Sequence, residues 1–411
     1  MGWDMLRFLI DNRRWLGTGL LLTFASSFGQ TWFISLFAGQ IRAAYGLSDG
    51  GWGAIYTLAT LAAAGLLLAR GSLADTMALS RLAPAVAGLF ALAAAAMALG
   101  GGVWMLGLAV FLLRFCGQGM FSHLAATAMA RWFVATRGRA LSIAALGYPL
   151  GEMILPVPMV IVIGAIGASL SWTLVAGVLA LVVAPLLYIL FAQDRSPVGL
   201  PAEQGSPGLG GRHWQRGEVL GHWLFYALVP FLLTPGFIGT TVFFHQVHIA
   251  GVKGWTLAAM AAAYPVFAGV SIGAGLVAGW AVDRFGPERL LAVLTLPMGV
   301  AMLMIGPVAG VGGWIGLLAI MAVTQGMSGT LWGALLPWAY GTRNLGAVRA
   351  LTTSVMVVST AIGPGITGHL IDRGISFPDQ GMAMGLWCLA LAGFGLWLRR
   401  RVVAEAIRMA G

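Results

Sequence analysis

Charged residues and cysteines are scarce in this chain. Only 9 % of its 411 residues are charged, and it has two cysteines, Cys116 and Cys388. A soluble domain carries about 25 % charged residues, and a chain that is 59 % hydrophobic cannot bury so much apolar surface in a soluble fold. Both cysteines fall inside apolar runs, so they fit neither a disulfide framework nor a zinc site. The composition excludes a soluble protein and indicates one that crosses a membrane several times.

Several functional signatures are missing as well. The sequence has no Walker-type phosphate loop and no nucleophile–base set in a polar segment. We therefore predict neither an enzyme nor a bound cofactor. If the chain moves a solute against its gradient, the energy has to come from the gradient of another solute or ion, which is secondary transport. The first 15 residues are charged and lack a cleavage-site pattern, so no signal peptide is predicted.

Long apolar runs dominate the rest of the chain. They extend over about 20 residues each, which is typical of membrane helices and not of the shorter alternating strands of a barrel. The sequence therefore predicts an all-α membrane protein. Its twelve transmembrane helices are expected at about 16–41, 52–69, 82–101, 104–130, 140–163, 169–192, 221–246, 256–278, 290–308, 313–337, 350–370 and 380–398.

Basic residues are distributed unequally between the two sets of predicted loops. Of the 23 Lys and Arg residues, 19 fall in the set that contains both termini, while Arg42, Lys253 and Arg373 fall in the other set and Arg114 lies inside a span. Because cytoplasmic loops carry the excess of positive charge, both termini are predicted to be cytoplasmic. The net charge of +10 belongs to these loops and indicates no nucleic-acid partner.

The chain repeats itself. Gly71, Asp75 and Arg81 recur as Gly279, Asp283 and Arg289, all at an offset of 208 residues, and two further motifs recur at offsets of 207 and 210. Such matches imply duplicated six-helix units. The longest hydrophilic stretch, 194–219, is rich in proline and glycine and predicts a flexible cytoplasmic linker. The predicted domains are 1–193, 194–219 and 220–411.

The predicted chain has twelve spans, a central linker and a Gly-x-x-x-Asp loop after spans 2 and 8. In these features it resembles the major facilitator superfamily over nearly its whole length. The resemblance implies two pseudo-symmetric six-helix bundles, alternating access, a small-molecule substrate and a monomer in the lipid bilayer. In that family these loops form a cytoplasmic gate. The resemblance gives this gating role to Asp75, Asp283, Arg284 and Arg289. The first copy departs from the family pattern, because Thr76 and Ala78 replace a basic residue and a glycine.

Polar side chains are confined to some of the predicted spans. Span 3 has none, whereas span 1 carries Ser27, Gln30, Thr31 and Ser35 at spacings that share one face of a continuous helix. Polar stripes in membrane helices face the protein interior, where they line a cavity or only join helices. The predicted substrate-binding residues are Gln30, Arg114, Gln118, Thr241, His245, Gln325 and Trp332.

Arg114 and Glu152 lie near the middle of spans 4 and 5. A charge at the bilayer centre costs several kcal/mol unless it is paired or hydrated, so the sequence predicts that these two residues pair. Two interpretations remain open. The pair is a structural clamp, or Arg114 holds an anionic or carbonyl-rich group while Glu152 is the proton-coupling residue.

Cys116, Met120 and His123 share one face of span 4 and are chemically suitable copper ligands. At 100° per residue, they point away from Arg114 and Gln118. If Arg114 faces the cavity, the sulfur set packs against neighbouring helices, and His123 bonds to a backbone or side-chain group. If the other face is turned inward, the three residues could handle a metal.

A narrower resemblance concerns the cargo. Three stretches of the sequence look like the CcoA-like branch of that superfamily: residues 28–42, Gly117-Gln-Gly-Met120 with His123, and Ala130-Arg-Trp-Phe133. That branch contains copper importers and RfnT-type riboflavin transporters. Those copper importers carry Met-x-x-x-Met in span 7 and His-x-x-x-Met in span 8. This chain has no methionine in predicted span 7, and Tyr264 follows Met260 in span 8.

We therefore predict a secondary transporter of the bacterial inner membrane that imports a small organic solute. A riboflavin-like vitamin is the leading candidate. A CcoA-type copper importer and an organic-anion or monocarboxylate transporter are the alternatives. A non-transporting sensor or a membrane enzyme is a further class, and no soluble domain or catalytic set supports it.

Overall fold

The computed structural model describes residues 2–71, 73–133, 136–193 and 206–410, which contain helices and no strands. These residues form two compact units. The first consists of Met1–Ser48 and Ala54–Pro201, and the second of Asp49–Gly53 and Ala202–Gly411.

The described residues of the first unit form thirteen α-helices, and the first residues of α5, Asp49–Gly53, belong to the second unit. They are α1 (Gly2–Asp11), α2 (Arg13–Ala25), α3 (Thr31–Ile34), α4 (Ala38–Tyr45), α5 (Asp49–Arg70), α6 (Leu73–Thr76), α7 (Leu79–Leu99), α8 (Val103–Leu113), α9 (Ser122–Trp132), α10 (Arg137–Ala145), α11 (Gly147–Ile154), α12 (Pro156–Val178) and α13 (Ala184–Phe191). The apolar helix α7 packs along α12 and α13, and α2 packs against α9, α10 and α11.

The second unit contains the remaining helices. They are α14 (Arg216–Leu220), α15 (Trp223–Phe244), α16 (Gln246–Lys253), α17 (Leu257–Ala261), α18 (Tyr264–Phe285), α19 (Pro287–Leu291), α20 (Leu296–Met304), α21 (Gly310–Tyr340), α22 (Leu345–Asp372) and α23 (Phe377–Ala410). Within this unit α15 packs along α22, α18 along α21 and α20 along α23.

The described helices include many that are long and apolar enough to cross a membrane. Ten single segments qualify, and the bent pair Arg13–Gly29 and Thr31–Tyr45 makes up to eleven. The 36-residue segment Pro156–Phe191 contains Gly167 at φ 77°, where two helices meet. A left-handed glycine is a common helix end, and this one lies in the turn predicted between spans 5 and 6. The chain is a multi-pass membrane protein, and the predicted all-α class is confirmed.

The repeated Gly-x-x-x-Asp motif adopts different structures in its two copies. In the first copy α5 ends at Arg70, immediately before Gly71. In the second copy α18 runs on to Phe285 and ends at Gly286, whose φ of 83° favours glycine. Gly279 and Asp283 therefore lie within a helix, and the expectation of a loop after span 8 was wrong at these positions.

The segment that follows Ser206 is ordered. Trp214 is 2 % exposed and its indole N–H donates to the Leu209 carbonyl over 3.1 Å. The Trp214 backbone N–H donates to the Tyr340 carbonyl over 3.0 Å, and Asn344 Nδ2 donates to the Trp214 carbonyl over 3.1 Å. Gln215 and Glu218 complete a capping box on α14. The expectation of a flexible linker was therefore wrong for residues 206–219, because a buried tryptophan holds them against α21 and α22.

Replacing Trp214 with alanine is expected to release this segment. Removing a buried tryptophan costs about 3–5 kcal/mol of stability. Local opening of the segment should therefore become more frequent, and trypsin cleavage after Arg212 and Arg216 should accelerate by roughly tenfold or more. The measurement is limited proteolysis followed by mass spectrometry. Trp223→Ala is the matched control, because Trp223 is 38 % exposed. Equal cleavage in the two variants would contradict the assigned role of Trp214.

Candidate functional site

The first predicted span is a broken helix. After α2 the chain forms a 3-10 turn at Ser26–Gly29, Gln30 is extended at φ −80° and ψ 153°, and α3 starts at Thr31. The two parts of the span meet at 41°. Serine side chains compete for backbone hydrogen bonds and glycine disfavours helix, so residues 26–29 are a weak point. The predicted polar stripe on a continuous helix was wrong, because the helix does not continue through Gln30.

The break frees a backbone carbonyl. In a continuous helix the N–H of Phe33 would bond to Gly29, but here it donates to the Gln30 carbonyl over 3.2 Å. The Gly29 carbonyl instead accepts a hydrogen bond from Arg114 Nη1 over 2.9 Å. The break therefore provides an acceptor for a cation inside the first unit.

The opposing span widens into a π-helix at Arg114–Phe121, between α8 and α9. Such segments often occur at functional sites. Gly117 in this segment lies directly against Gly29, since a Cβ built on Gly117 would lie 2.7 Å from Gly29 Cα and 2.7 Å from the Phe90 ring. Two glycines thus allow the two backbones to touch, which brings Arg114 within reach of the broken span.

Arg114 is buried, and no anionic partner lies beside it in the part of the chain that the structure describes. It is 1 % exposed, and its guanidinium carbon lies 5.2 Å from the centre of the Tyr56 ring. Nε and Nη2 are buried and have no hydrogen-bond partner among the described residues. Unsatisfied buried donors are uncommon, and those on a charged group are the most costly. One edge of the guanidinium, formed by Nε and Nη2, therefore lies inside the protein without a hydrogen-bond partner among the described residues.

Glu152 lies close to the same break. The preceding residue, Gly151, packs so tightly on span 1 that a Cβ there would overlap Ser27 Oγ. Glu152 is half-buried and forms no ion pair with Arg114. The predicted Arg114–Glu152 pair was therefore wrong. The physical reason is the broken helix, which offers Arg114 a backbone carbonyl that a continuous helix would have used itself.

Two predicted glutamines are also placed at this point. Gln30 is the extended residue of the break, and its amide nitrogen lies 3.5 Å from Ser26 Oγ. Gln118 follows Gly117 in the π-helix and is half-buried. We call Gln30, Tyr56, Arg114, Gln118 and Glu152 the first-unit site. Tyr56, whose hydroxyl lies 2.6 Å from Thr31 Oγ1, is the member that the predicted binding residues did not include.

The sulfur-containing face of span 4 is internal. Cys116 and Met120 are 0 % and 1 % exposed, and His123 Nε2 donates to the Gly71 carbonyl over 3.0 Å. The expected backbone partner of His123 is therefore confirmed. The angles of 100° per residue used for this face do not hold in a π-helix, whose i→i+5 bonds widen the turn. Among the described residues no group of three His, Cys, Asp or Glu side chains could hold a metal ion.

The other predicted binding residues belong to the second unit. Thr241 is fully buried and its hydroxyl donates to carbonyls of its own helix, at Phe237 and Ile238. Trp332 is 7 % exposed within an apolar cluster, so both residues are explained by packing. Gln325 is exposed, whereas His245 is buried and bonds to Thr367.

The predicted gating residues are only partly described. Asp283, Arg284 and Arg289 are all exposed, and the Arg284 guanidinium carbon lies 5.7 Å from the centre of the Phe285 ring. The side chain of Asp75, in α6, lies outside the described part of the chain.

A multi-pass helical membrane protein with an unpaired arginine at a broken helix has the features of a membrane transporter. A family model described as Major Facilitator Superfamily matches residues 19–364. The chain therefore belongs to the Major Facilitator Superfamily.

Solved structures agree with this fold. The chain is similar to two crystal structures of a bacterial homologue of the human lysosomal transporter Spinster. The inward-facing unoccupied form gives a TM-score of 0.74 at 15 % identity, covering 95 % of this chain and 97 % of that one. The inward-facing occupied form gives 0.68 at 16 % identity, covering 95 % and 93 %. At these identities the likeness extends to the fold alone. A search of curated proteins found no match.

Proposed function

We propose that this chain is a secondary transporter that imports a small organic solute across the bacterial inner membrane, with a riboflavin-like vitamin as the leading candidate. Membership of the superfamily supports the transport class. The observation that carries the choice of solute is the buried guanidinium edge of Arg114, where Nε and Nη2 have no partner among the described residues.

The chemistry of that edge favours planar solutes with adjacent acceptors. Nε–H and Nη2–H point in the same direction and bind two acceptors at once, as arginine does with O6 and N7 of guanine. A flavin ring has the same pattern twice, at its C4 carbonyl with N5 and at its C2 carbonyl with N1. The ring of Tyr56 beside the guanidinium and the amide of Gln118 suit a flat polar molecule.

A carboxylate is the other ligand that fits this edge. Arginine binds carboxylates through two parallel hydrogen bonds, so an organic-anion transporter is the alternative function. The copper alternative has less support, because His123 Nε2 already donates to a backbone carbonyl and no group of three His, Cys, Asp or Glu side chains in the described residues could hold a metal ion.

Glu152 is the proposed proton-coupling residue of the first-unit site. It is half-buried, it lies beside the break through the Gly151 contact with Ser27, and Arg114 does not neutralise it. A carboxyl group in this position can gain a proton on one side of the membrane and lose it on the other. Proton symport would follow.

The membrane orientation is part of the same proposal. The excess of basic residues in one set of loops supports an orientation with both termini in the cytoplasm. The exposed residues Asp283, Arg284 and Arg289 would then face the cytoplasm and join Asp75 in a gate, in a protein that acts as a monomer without a cofactor.

The test is uptake by proteoliposomes that contain the purified full chain. Radiolabelled riboflavin, a radiolabelled aromatic carboxylate and copper are supplied in parallel, with and without an inward proton gradient. We expect saturable riboflavin uptake that the gradient stimulates. Glu152→Gln should retain exchange of labelled for unlabelled solute but lose the stimulation.

Each other outcome overturns part of the proposal. Uptake of the carboxylate alone would establish the alternative function, and uptake of copper alone would contradict the role given to Arg114. Normal gradient stimulation in a folded Glu152→Gln variant would remove Glu152 from the coupling mechanism.

A further inference from the structure

The second unit contains a cluster of two histidines and an aspartate. Asp49, at the start of α5, lies with its Oδ1 3.9 Å from His245 Nδ1 and its Oδ2 3.5 Å from His248 Nδ1. His245 is 2 % exposed at the end of α15, and the Asp49 side chain is 15 % exposed. The cluster lies at the end of this unit that is predicted to be outside the cell, because the loops at that end carry few basic residues.

The contacts of Thr367 favour one tautomer of His245, the one that carries its proton on Nε2. Thr367 Oγ1 donates its only hydrogen to the Gly363 carbonyl over 2.8 Å. It can therefore only accept from His245 Nε2, which lies 2.9 Å away. Neutral His245 is thus the Nε2–H tautomer, and its Nδ1 carries a proton only when the ring is charged. At that moment Nδ1–H faces the Asp49 carboxylate.

His248 has the opposite arrangement. Its Nε2 accepts a hydrogen bond from the Phe377 backbone N–H over 3.4 Å. The neutral ring therefore carries its proton on Nδ1, the atom that faces Asp49 Oδ2. A second proton on His248 would break the bond to Phe377. Protonation of His245 creates an Nδ1–H that faces the carboxylate, whereas the Nδ1–H of His248 already faces it in the neutral ring.

The segment that contains Asp49 is attached to the unit by further contacts. The Gly50 N–H donates to Asp372 Oδ2 over 3.0 Å, and the Trp52 ring stacks on the Phe244 ring with centres 5.7 Å apart. Gly368 meets the backbone of Asp49 so closely that a Cβ there would contact its carbonyl carbon at 2.9 Å. A charge on His245 would thus act on a segment that already touches α15 and α22.

We propose that His245 is a proton-binding site, and that its protonation strengthens the attachment of Asp49–Gly53 to the second unit. The sign follows from the charges. At acidic pH the imidazolium faces the Asp49 carboxylate and holds the segment. As the pH rises, the ring becomes neutral, its Nδ1 lone pair faces the carboxylate, and this attraction is lost. In the transporter, this would make the attachment of the first turn of α5 depend on external pH.

Other charged groups belong to the elements around His245. Lys253 Nζ bonds to the Gly306 and Val308 carbonyls, and Asp379 Oδ2 accepts from Ser376. At the ends of these elements that hold His245, the titratable or charged residues are Asp49, His248, Lys253, His369, Asp372, Arg373 and Asp379. Asp49 is the one that faces His245 Nδ1 at 3.9 Å.

The first test needs no transport assay. Nitrogen NMR of ¹⁵N-histidine-labelled full chain in nanodiscs reports the tautomer of each ring, and the spectra of His245→Gln and His248→Gln assign the two signals. At about pH 8, where histidine is neutral, we expect Nε2–H for His245 and Nδ1–H for His248. In Thr367→Val, His245 should no longer be restricted to the Nε2–H tautomer, because Nε2 loses its acceptor. An Nδ1–H tautomer for His245 in the unmodified chain would overturn the proposal.

The second test measures the attachment itself. Hydrogen exchange of the amides in 49–53, corrected for intrinsic rates, should slow by roughly tenfold between about pH 8 and pH 6, as expected for a hydrogen bond between charged groups. His245→Gln keeps a donor for Thr367 but cannot become charged, so its exchange should depend much less on pH than that of the unmodified chain. His248→Gln is the matched control and should retain the dependence. An equal pH effect in His245→Gln would contradict the proposal.

The consequence for transport rests on the proposed function. Riboflavin exchange, measured with equal pH on both sides so that no gradient drives it through Glu152, should depend on that pH, and His245→Gln should weaken the dependence while His248→Gln does not. Absence of uptake at every pH would contradict the proposed function but not the proton site, which the NMR and exchange measurements test. Normal uptake with an unchanged pH profile in His245→Gln would contradict the transport role of the proton site alone.

Discussion

Replacing Arg114 with alanine is expected to lower saturable solute uptake by roughly 10- to 150-fold. The range corresponds to about 1.5–3 kcal/mol, the usual contribution of a hydrogen bond to a charged group. The reason is the buried edge of Nε and Nη2, which has no partner in the described residues. Arg114→Lys should recover only part of the activity, since an ammonium retains the charge but not the two parallel donors. The measurement is initial uptake rate against solute concentration in proteoliposomes.

A matched control separates this role from general effects of charge. Arg7→Ala removes an arginine whose side chain is 85 % exposed in an i,i+4 pair with Asp11, and such exposed pairs contribute little. It should transport normally. Because Arg114 also bonds to the Gly29 carbonyl, the alanine variant must first be shown to be folded by its thermal unfolding. A folded Arg114→Ala variant with normal uptake would remove Arg114 from the solute path.

Alanine at Gly29 or Gly117 is expected to disrupt the first-unit site. A Cβ on Gly29 would overlap the Leu113 carbonyl oxygen, and one on Gly117 would lie 2.7 Å from Gly29 Cα. Such overpacking costs about 1–3 kcal/mol, and it would also push the Arg114 donor away from its acceptor. We expect melting temperatures lower by roughly 2–4 °C for each kcal/mol, together with loss of most uptake.

Gly88→Ala is the control for this prediction. Gly88 lies inside α7 and has no atom within 4 Å of a built Cβ. Alanine is the better helix former by about 1 kcal/mol, so this variant should be as stable as the parent or more stable. If Gly29→Ala or Gly117→Ala were as stable and as active in uptake as Gly88→Ala, the close contact between the backbones at Gly29 and Gly117 would not be required.

Sequence patterns were sufficient for most of the fold. Apolar runs located the membrane helices because a lipid-embedded helix must be apolar along its whole length. The turn expected near residue 166 was found at Gly167. The same patterns could not find the helix break at Gln30, because breaking a helix depends on whether tertiary partners satisfy the freed groups. Ser26, Ser27 and Gly29 were the available signal, but only Ser27 was interpreted, as part of a polar stripe with Gln30, Thr31 and Ser35.

The site itself was only partly predictable. The cost of a buried charge identified Arg114 and Glu152 as important positions. It could not identify the partner of Arg114, because the acceptor is a backbone carbonyl that becomes available only when the helix breaks. The packed segment at 206–219 was missed for a similar reason. Its proline and glycine content indicates a linker, while a single tryptophan, Trp214, holds it in place.

Equilibrium binding of radiolabelled riboflavin to the purified chain tests the central claim most directly, because it measures the Arg114 contact without the steps of transport. We expect saturable binding by the unmodified chain and by Arg7→Ala. The dissociation constant should rise by roughly 10- to 100-fold in folded Arg114→Ala. Equal affinity in Arg114→Ala, or no saturable binding by the unmodified chain, would contradict the proposal that this arginine holds a flavin-like solute.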